Sequence, residues 1–187
     1  MSVDMTTATR SEKLLFQPLR LEDAPALLRV HNSNPDFVEA TLGPGRRAYL
    51  LDEVQDYLRE ELTAPQNLSR VPAIRHHWLL RATCSGDLVG VAELGFVHPR
   101  DKIPWIALLE LASWQHGKGL AREAAQHLEN LVAVHGYQRI GLNVLTSNPR
   151  ALGFWQSLGY QREESVRGAG LGRAWALSKE LDVLNGT

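Results

Sequence analysis

One segment constrains this chain more than any other: Leu109-Glu110-Leu111-Ala112-Ser113-Trp114-Gln115-His116-Gly117-Lys118-Gly119-Leu120-Ala121. An apolar strand-like run ends, two glycines follow, and a helical stripe of Leu120, Ala124, Leu128, Leu131 and Val132 begins at once. Gly136 supplies the left-handed stop. A strand that feeds a helix through glycine turns several backbone N–H groups the same way, at the positive end of the helix dipole. Gly117 and Gly119 carry no side chain to hold a phosphate away. The segment reads as an anion site, suited to a phosphate or pyrophosphate.

The rest of the chain alternates in kind. Residues 1–12 read as a flexible leader and 13–187 as a single domain, as 187 residues suggest at roughly 150 per domain. Leu14 to Leu19 predicts a strand, at an edge because Pro18 cannot donate to a ladder. A helix follows over Pro25 to His31, then a turn-rich connection through Asn34-Pro35 and Gly43-Pro44-Gly45. Leu51, Val54, Leu58 and Leu62 share one face and predict a helix over Tyr49 to Leu62. His77 to Thr83, Leu88 to Val97 and Ile103 to Ser113 read as an antiparallel meander turning at Gly86-Asp87 and at Pro99 to Lys102. Beyond the long helix come a strand over Arg139 to Leu145 and a short helix with Asn148 as N-cap and Pro149 next, ending at Gly159. A last strand lies near Trp175 to Leu181. That order predicts an α/β fold with a mixed, mostly antiparallel central sheet flanked by helices.

Composition removes several function classes. Twenty basic against twenty-one acidic residues give a net charge of −1, which removes the strong electrostatic case for a nucleic-acid or anionic-membrane partner and leaves only a local basic patch open. The single cysteine, Cys84, cannot form an intrachain disulfide and reads as a buried or half-buried thiol. No apolar run approaches the ~18 residues of a membrane helix, and the polar start lacks a signal-peptide core. The expected setting is the cytoplasm. No spacing of His, Cys and Asp suggests a metal.

Three phosphate loops compete for His116 to Ala121. A P-loop needs Ser or Thr after its lysine, but Gly119 follows Lys118. The dinucleotide fingerprint needs a third glycine where Arg122 stands, and a βαβ context in place of a meander. The third reading is the pyrophosphate loop of acyl-CoA-dependent transferases. His116-Gly117-Lys118-Gly119-Leu120-Ala121 resembles the [QR]-x-x-G-x-[GA] hallmark of the GNAT superfamily of N-acetyltransferases, with His116 in place of Gln or Arg. A second family pattern, N-x-x-A-x-x-x-Y-x-x-x-G-[FY], is matched by Asn148, Ala151, Trp155, Gly159 and Tyr160, with Trp155 in place of Tyr. The likeness spans Leu14 to Leu181, and the Gly-Lys-Gly-Leu-Ala-Arg-Glu-Ala run resembles the ribosomal-protein N-terminal acetyltransferase branch.

The resemblance implies direct acetyl transfer from acetyl-CoA, as co-substrate, to a primary amine of a small molecule or a peptide or protein N-terminus. It places acetyl-CoA against Leu109, Leu111, His116, Gly117, Lys118, Gly119, Leu120 and Ala121, with Asn148 and Phe154 flanking the pantetheine. It makes a homodimer one expectation, since many relatives pair. A lysine-type amine, with a reference pKa near 10.4, must lose a proton before attack. Glu93 and Glu110, the carboxylates inside otherwise apolar strands, are the candidate bases. Alternation sets Glu110 opposite to Leu109 and Leu111. Family members often use a tyrosine to protonate the leaving sulfur. Trp155 cannot do so, because an indole N–H is no useful acid. That gap keeps a catalytically silent acyl-CoA-binding module as the alternative, and a nucleotide-binding domain as a third reading.

Elsewhere, Tyr160, Trp105 and Trp114 read as packing residues, and His76, His77 and His98 as surface or strand-end residues. Arg46-Arg47 reads as a solvated helix start, and Gly168 to Gly172 as a hairpin connection.

Overall fold

A computed structural model describes residues 7–63, 75–96, 103–167 and 173–182. Eight strands form one sheet in the order β1-β2-β3-β4-β5-β6-β8-β7. They are β1 (Thr9–Arg10), β2 (Leu14–Pro18), β3 (Arg75–Ala82), β4 (Leu88–Gly95), β5 (Trp105–Leu111), β6 (Arg139–Leu145), β7 (Gln161–Arg167) and β8 (Arg173–Glu180). The helices are α1 (Ala24–Asn32), α2 (Pro35–Leu42), α3 (Leu51–Thr63), α4 (Leu120–Val134) and α5 (Pro149–Ser157). Every strand pair is antiparallel except β5 with β6. The chain reaches that parallel joint by crossing over through α4. The expected mixed, mostly antiparallel sheet flanked by helices is what forms.

Two apolar cores sandwich the sheet. One face packs Phe16, Trp78, Ala92, Ile106 and Leu111 against Leu128 and Val132 of α4 and Trp155 of α5. The other packs Leu79, Val91 and Ala112 against Leu27 and Val30 of α1 and Val54 and Leu58 of α3. Strand β4, covered on both faces, is buried throughout.

Several expectations change. Thr9–Arg10 is a strand on β2, and Ser11 Oγ and Lys13 N–H bond Glu123 of α4 at 2.6 Å each, so residues 9–12 pack on the domain where a flexible leader is expected. Residues 1–6 lie outside the described ones. Strand β2 is therefore interior, and Pro18 is tolerated because β1 reaches only Leu15 and Phe16. Helix α2 stands where a turn-rich connection is predicted. Its Pro35 start and Gly43 stop (φ 96°) are visible in the sequence, but it buries only Val38 and has no apolar stripe. Strand β7 is a further element that the sequence pattern does not predict. Cys84 is exposed, because β3 ends at Ala82 and the thiol falls in the turn. His77 is buried beneath α3, while Trp114 is 45% exposed with Arg29 over its ring. His98 and the Pro99 to Lys102 and Gly168 to Gly172 segments lie outside the described residues, though β7 and β8 on either side of the last pair antiparallel.

Candidate active site

Strands β5 and β6 pair only through Trp105 with Gly141 and Ile106 with Leu142. Beyond Ile106 they part. On the opposite edge β5 stays paired with β4 up to Leu111, and Ala112 N–H donates to Val89 O at 2.9 Å. Backbone groups alternate along a strand. The N–H groups of Ala112, Glu110 and Leu108 thus face β4, and those of Leu109 and Leu111 face the gap. They have no ladder partner on β6. The cofactor-site expectation for Leu109 and Leu111 therefore rests on backbone donors at an open, parallel joint. In open sheets a ligand settles where neighbouring strands diverge at their carboxyl ends.

At the end of that gap lies the glycine loop. Gly117 (φ 77°) and Gly119 (φ 78°) are both left-handed, and a Cβ on either would meet nothing within 4 Å. The cradle is therefore open space that a ligand can fill. Gly119 caps α4 without any side-chain hydrogen bond, so the first-turn N–H groups of the helix point into it. His116, in the place of Gln or Arg, ties loop to strand, since its Nε2–H donates to Leu111 O at 3.1 Å. Lys118 Nζ reaches Gln115 Oε1 at 2.9 Å, and Gln115 Nε2 in turn holds Leu88 O.

Positive charge converges here in a way that the sequence pattern does not reveal. Arg150 in the first turn of α5 approaches His116 Nδ1 at 3.5 Å, and Arg122 bonds Ser157 Oγ at 3.2 Å. Arg29, Arg81 and Lys118 border an open groove of about 650 Å³ beside Trp114. No spacing rule links these cations, because they arrive from separate elements of the fold.

Asn148 caps α5 by accepting from Ala151 N–H at 2.9 Å. Phe154 is half-buried against Trp155, and the Trp155 ring packs edge-on to Tyr160, which is buried as expected. Arg46 forms a two-pronged pair with Glu53 (2.8 Å to each oxygen), consistent with a solvated helix start.

The two candidate carboxylates share the α1/α3 face. Glu93 lies opposite Leu108, and Glu110 opposite Val91, so they are diagonal neighbours across adjacent strands. Neither is free. Tyr57 OH donates to Glu93 Oε1 at 2.5 Å, and His77 Nδ1 lies 3.3 Å from the same oxygen. Burial pushes the Glu93 carboxyl up, but His77, Tyr57 and Arg75 outweigh it and hold the group below its ordinary value. Burial and the Glu93 charge push the Tyr57 hydroxyl far above the usual tyrosine range, so it remains a donor.

Glu110 sits in a different company. His31 Nδ1 lies 2.6 Å from its Oε2, and Asn34 Nδ2 donates to its Oε1 at 2.8 Å. The same Asn34 amide reaches Leu111 O at 2.9 Å, and Ser33 Oγ accepts from Ser113 N–H at 2.9 Å. The α1–α2 corner is thereby stitched to the end of β5. No sequence signal singles out His31 and Asn34; they stand 79 and 76 residues from Glu110.

A sheet split at its parallel joint, with a bare glycine cradle at the start of the following helix, defines an acyl-CoA-type transferase fold. Comparison with known proteins agrees. The family model described as "Acetyltransferase (GNAT) family" matches residues 44–160, and the chain belongs to that family. It is an N-acetyltransferase. No curated protein sequence matches the chain. Among solved structures, an acetyltransferase from Thermus thermophilus is 23% identical with a TM-score of 0.71, covering 92% of this chain and 100% of that one. RimL, a ribosomal-protein α-N-acetyltransferase in complex with coenzyme A, is 15% identical (TM-score 0.70, 92% and 97% covered). Spermidine N-acetyltransferase from Vibrio cholerae, in complex with CoA and spermine, is 14% identical (TM-score 0.66, 91% and 96% covered). At these identities the likeness is one of fold. No described helix is long and apolar enough to cross a membrane.

Proposed function

We propose that the chain moves an acetyl group from acetyl-CoA to a primary amine, of a small molecule or of a peptide or protein N-terminus, by direct attack on the thioester. The observation that carries this reading is the gap beyond Ile106, edged by the Leu109 and Leu111 N–H groups and closed by the His116 to Ala121 cradle. When bound, acetyl-CoA supplies the activated acyl group.

The surrounding residues then divide the work. The first-turn amides of α4 and the Gly117 and Gly119 backbone hold the pyrophosphate, with Lys118, Arg122 and Arg150 adding charge. Leu109 or Leu111 N–H donates to the oxyanion; one such donor is worth about 3–4 kcal/mol. By the family resemblance, Asn148 and Phe154 flank the pantetheine. Trp155 is buried against Tyr160 and supplies no proton, so sulfur departs as thiolate and takes its proton from water. The α1–α2 corner, tied to β5 through Ser33 and Asn34, borders the acceptor side.

Release of free thiol from acetyl-CoA across a panel of amines tests the reading: peptides with varied N-termini, lysine peptides, polyamines and aminoglycosides. Acceptor-dependent release is the expected result. Tight CoA binding with no release for any amine defeats the acceptor assignment and leaves a binding module; equal affinity for ADP and CoA points to a nucleotide domain instead.

A further inference from the structure

We propose that His31 is the group that takes the proton from the attacking amine, and that Glu110 positions it without itself acting as the base. The inference rests on the acetyl-transfer reading above and goes beyond it by naming a residue outside both family motifs.

Hydrogen bonding fixes the tautomer of the ring. An ionised carboxylate only accepts, so the 2.6 Å contact to Glu110 Oε2 commits Nδ1 as the donor. The neutral ring then carries its lone pair on Nε2, and Nε2 makes no hydrogen bond to any described residue. A carboxylate that fixes one nitrogen of a histidine, leaving the other bare, is the arrangement by which an imidazole is oriented as a general base. Glu110 is itself fixed. Asn34 holds its second oxygen at 2.8 Å, so the carboxylate cannot swing to meet a substrate without breaking two bonds.

Placement supports the same role. Glu110 lies between Leu109 and Leu111, the two residues whose N–H groups face the gap, and Asn34 bridges Glu110 to the Leu111 carbonyl on that open edge. The ring of His31 is held between Phe37, stacked at 5.3 Å, and Tyr49 at 5.1 Å. Both flanking rings are part-buried, and the His31 side chain keeps 8% of its surface accessible between them. The titratable groups that face His31 are Glu110 from β5 and Tyr49 from the segment before α3. Tyr49 donates to Thr41 Oγ1 at 2.7 Å, and its ionisation is pushed up, chiefly by burial, so it stays neutral. Among the described residues the other buried histidine is His77, and it has a carboxylate near each ring nitrogen, Glu93 at 3.3 Å and Glu61 at 3.7 Å.

The chemical step conserves atoms and charge. The free amine nitrogen bonds to the thioester carbonyl carbon, and the carbon–sulfur bond breaks. The proton shed by that nitrogen passes to His31 Nε2 and from there to water, and the departing thiolate is protonated by water.

The test is steady-state acetyl transfer by wild type, His31→Gln and His31→Ala, with CoA affinity by calorimetry and melting temperature as controls. A positioned base contributes about 10²–10⁴-fold. The expected result is a fall in kcat of that size in both variants, with CoA binding kept. The acid limb of the wild-type kcat–pH profile vanishes in His31→Gln, and imidazole restores turnover to His31→Ala. Turnover of His31→Gln within tenfold of wild type overturns the proposal. So does a large loss in which the acid limb persists, since that is the mark of a structural role. If His31→Ala does not fold, the His31→Gln profile decides alone. Wild type that acetylates no amine refutes the acetyl-transfer reading and this inference with it, which separates the two failures.

Discussion

The glycine cradle can be tested by adding one methyl group at each end of the same helix. Gly119 precedes α4 at φ 78°, and Gly136 follows it at φ 84°; an added Cβ meets nothing within 4 Å at either. The two substitutions to alanine thus carry the same backbone penalty, about 1–2 kcal/mol for a non-glycine residue in the left-handed region. For a chain of this length that lowers the melting temperature by roughly 2–8 °C. Their effects on ligand binding must differ. A methyl at Gly119 occupies the space in which the anion would sit, whereas one at Gly136 lies at the far end of a 15-residue helix, roughly 22 Å away. Calorimetric titration with CoA should show at least about tenfold weaker binding for Gly119→Ala, some 1.4 kcal/mol, and unchanged affinity for Gly136→Ala. Equal loss in both would mean that affinity only follows stability. No loss in either would refute the assignment of the pyrophosphate to this loop.

Three further outcomes are expected. Glu93, with its carboxyl held below the ordinary value, contributes stability that is complete above the unfolded glutamate pKa of about 4.3 and is lost as pH falls through the lower folded-state value. Melting curves from pH 7 to 3 should therefore fall more steeply for wild type than for Glu93→Gln, which starts about 1–3 kcal/mol less stable at pH 7. Asn148→Ala removes the cap on Ala151 N–H and should lower stability by about 1 kcal/mol, a shift of roughly 2–4 °C in melting temperature. Trp155→Phe should lose about 1–3 kcal/mol of stability yet keep thiol release within about threefold, because the indole is packing and not an acid. A hundredfold fall in turnover would reverse that view of Trp155.

What could be read from the chain and what could not divide along one physical line. The Gly117 and Gly119 cradle, the α4 stripe, the Asn148 cap and the end of α5 were legible because each is a local backbone event. Helix α2 was not, since a helix that buries only Val38 shows no period. Nor was β7, whose Gln-Arg-Glu-Glu-Ser-Val-Arg has no apolar alternation and sits at the sheet margin, where charge is tolerated. Burial of His77 and exposure of Trp114 are decided by which helix covers the strand end. The same holds for the partner of Glu110: nothing in the spacing of His31 and Glu110 marks them as neighbours, and only the packing of α1 on the sheet brings them together.

One extra residue links the two halves of the site. Glu93 pairs with Leu108 and Leu94 with Ile106, so Ala107 is a bulge in β5. It falls immediately after Ile106, the last residue to pair with β6. A bulge bends its strand and increases the local twist, which accounts for β5 leaving β6 at that point. It also resets the alternation of side chains. Ile106 packs into the α4 core, and an unbroken strand would send Leu108 and Glu110 to that same side. Instead Leu109 and Leu111 pack there, Leu108 packs with the α1/α3 core, and Glu110 turns toward His31. The opening beyond Ile106, proposed to admit the acyl donor, and the orientation of Glu110 toward His31 therefore have a common cause. Removing Ala107 would let Leu108 follow Ile106 in regular register, so the β5–β6 ladder should extend while Glu110 keeps its face; forcing Ala107 into the ladder would instead drive the carboxylate into the apolar core of α4.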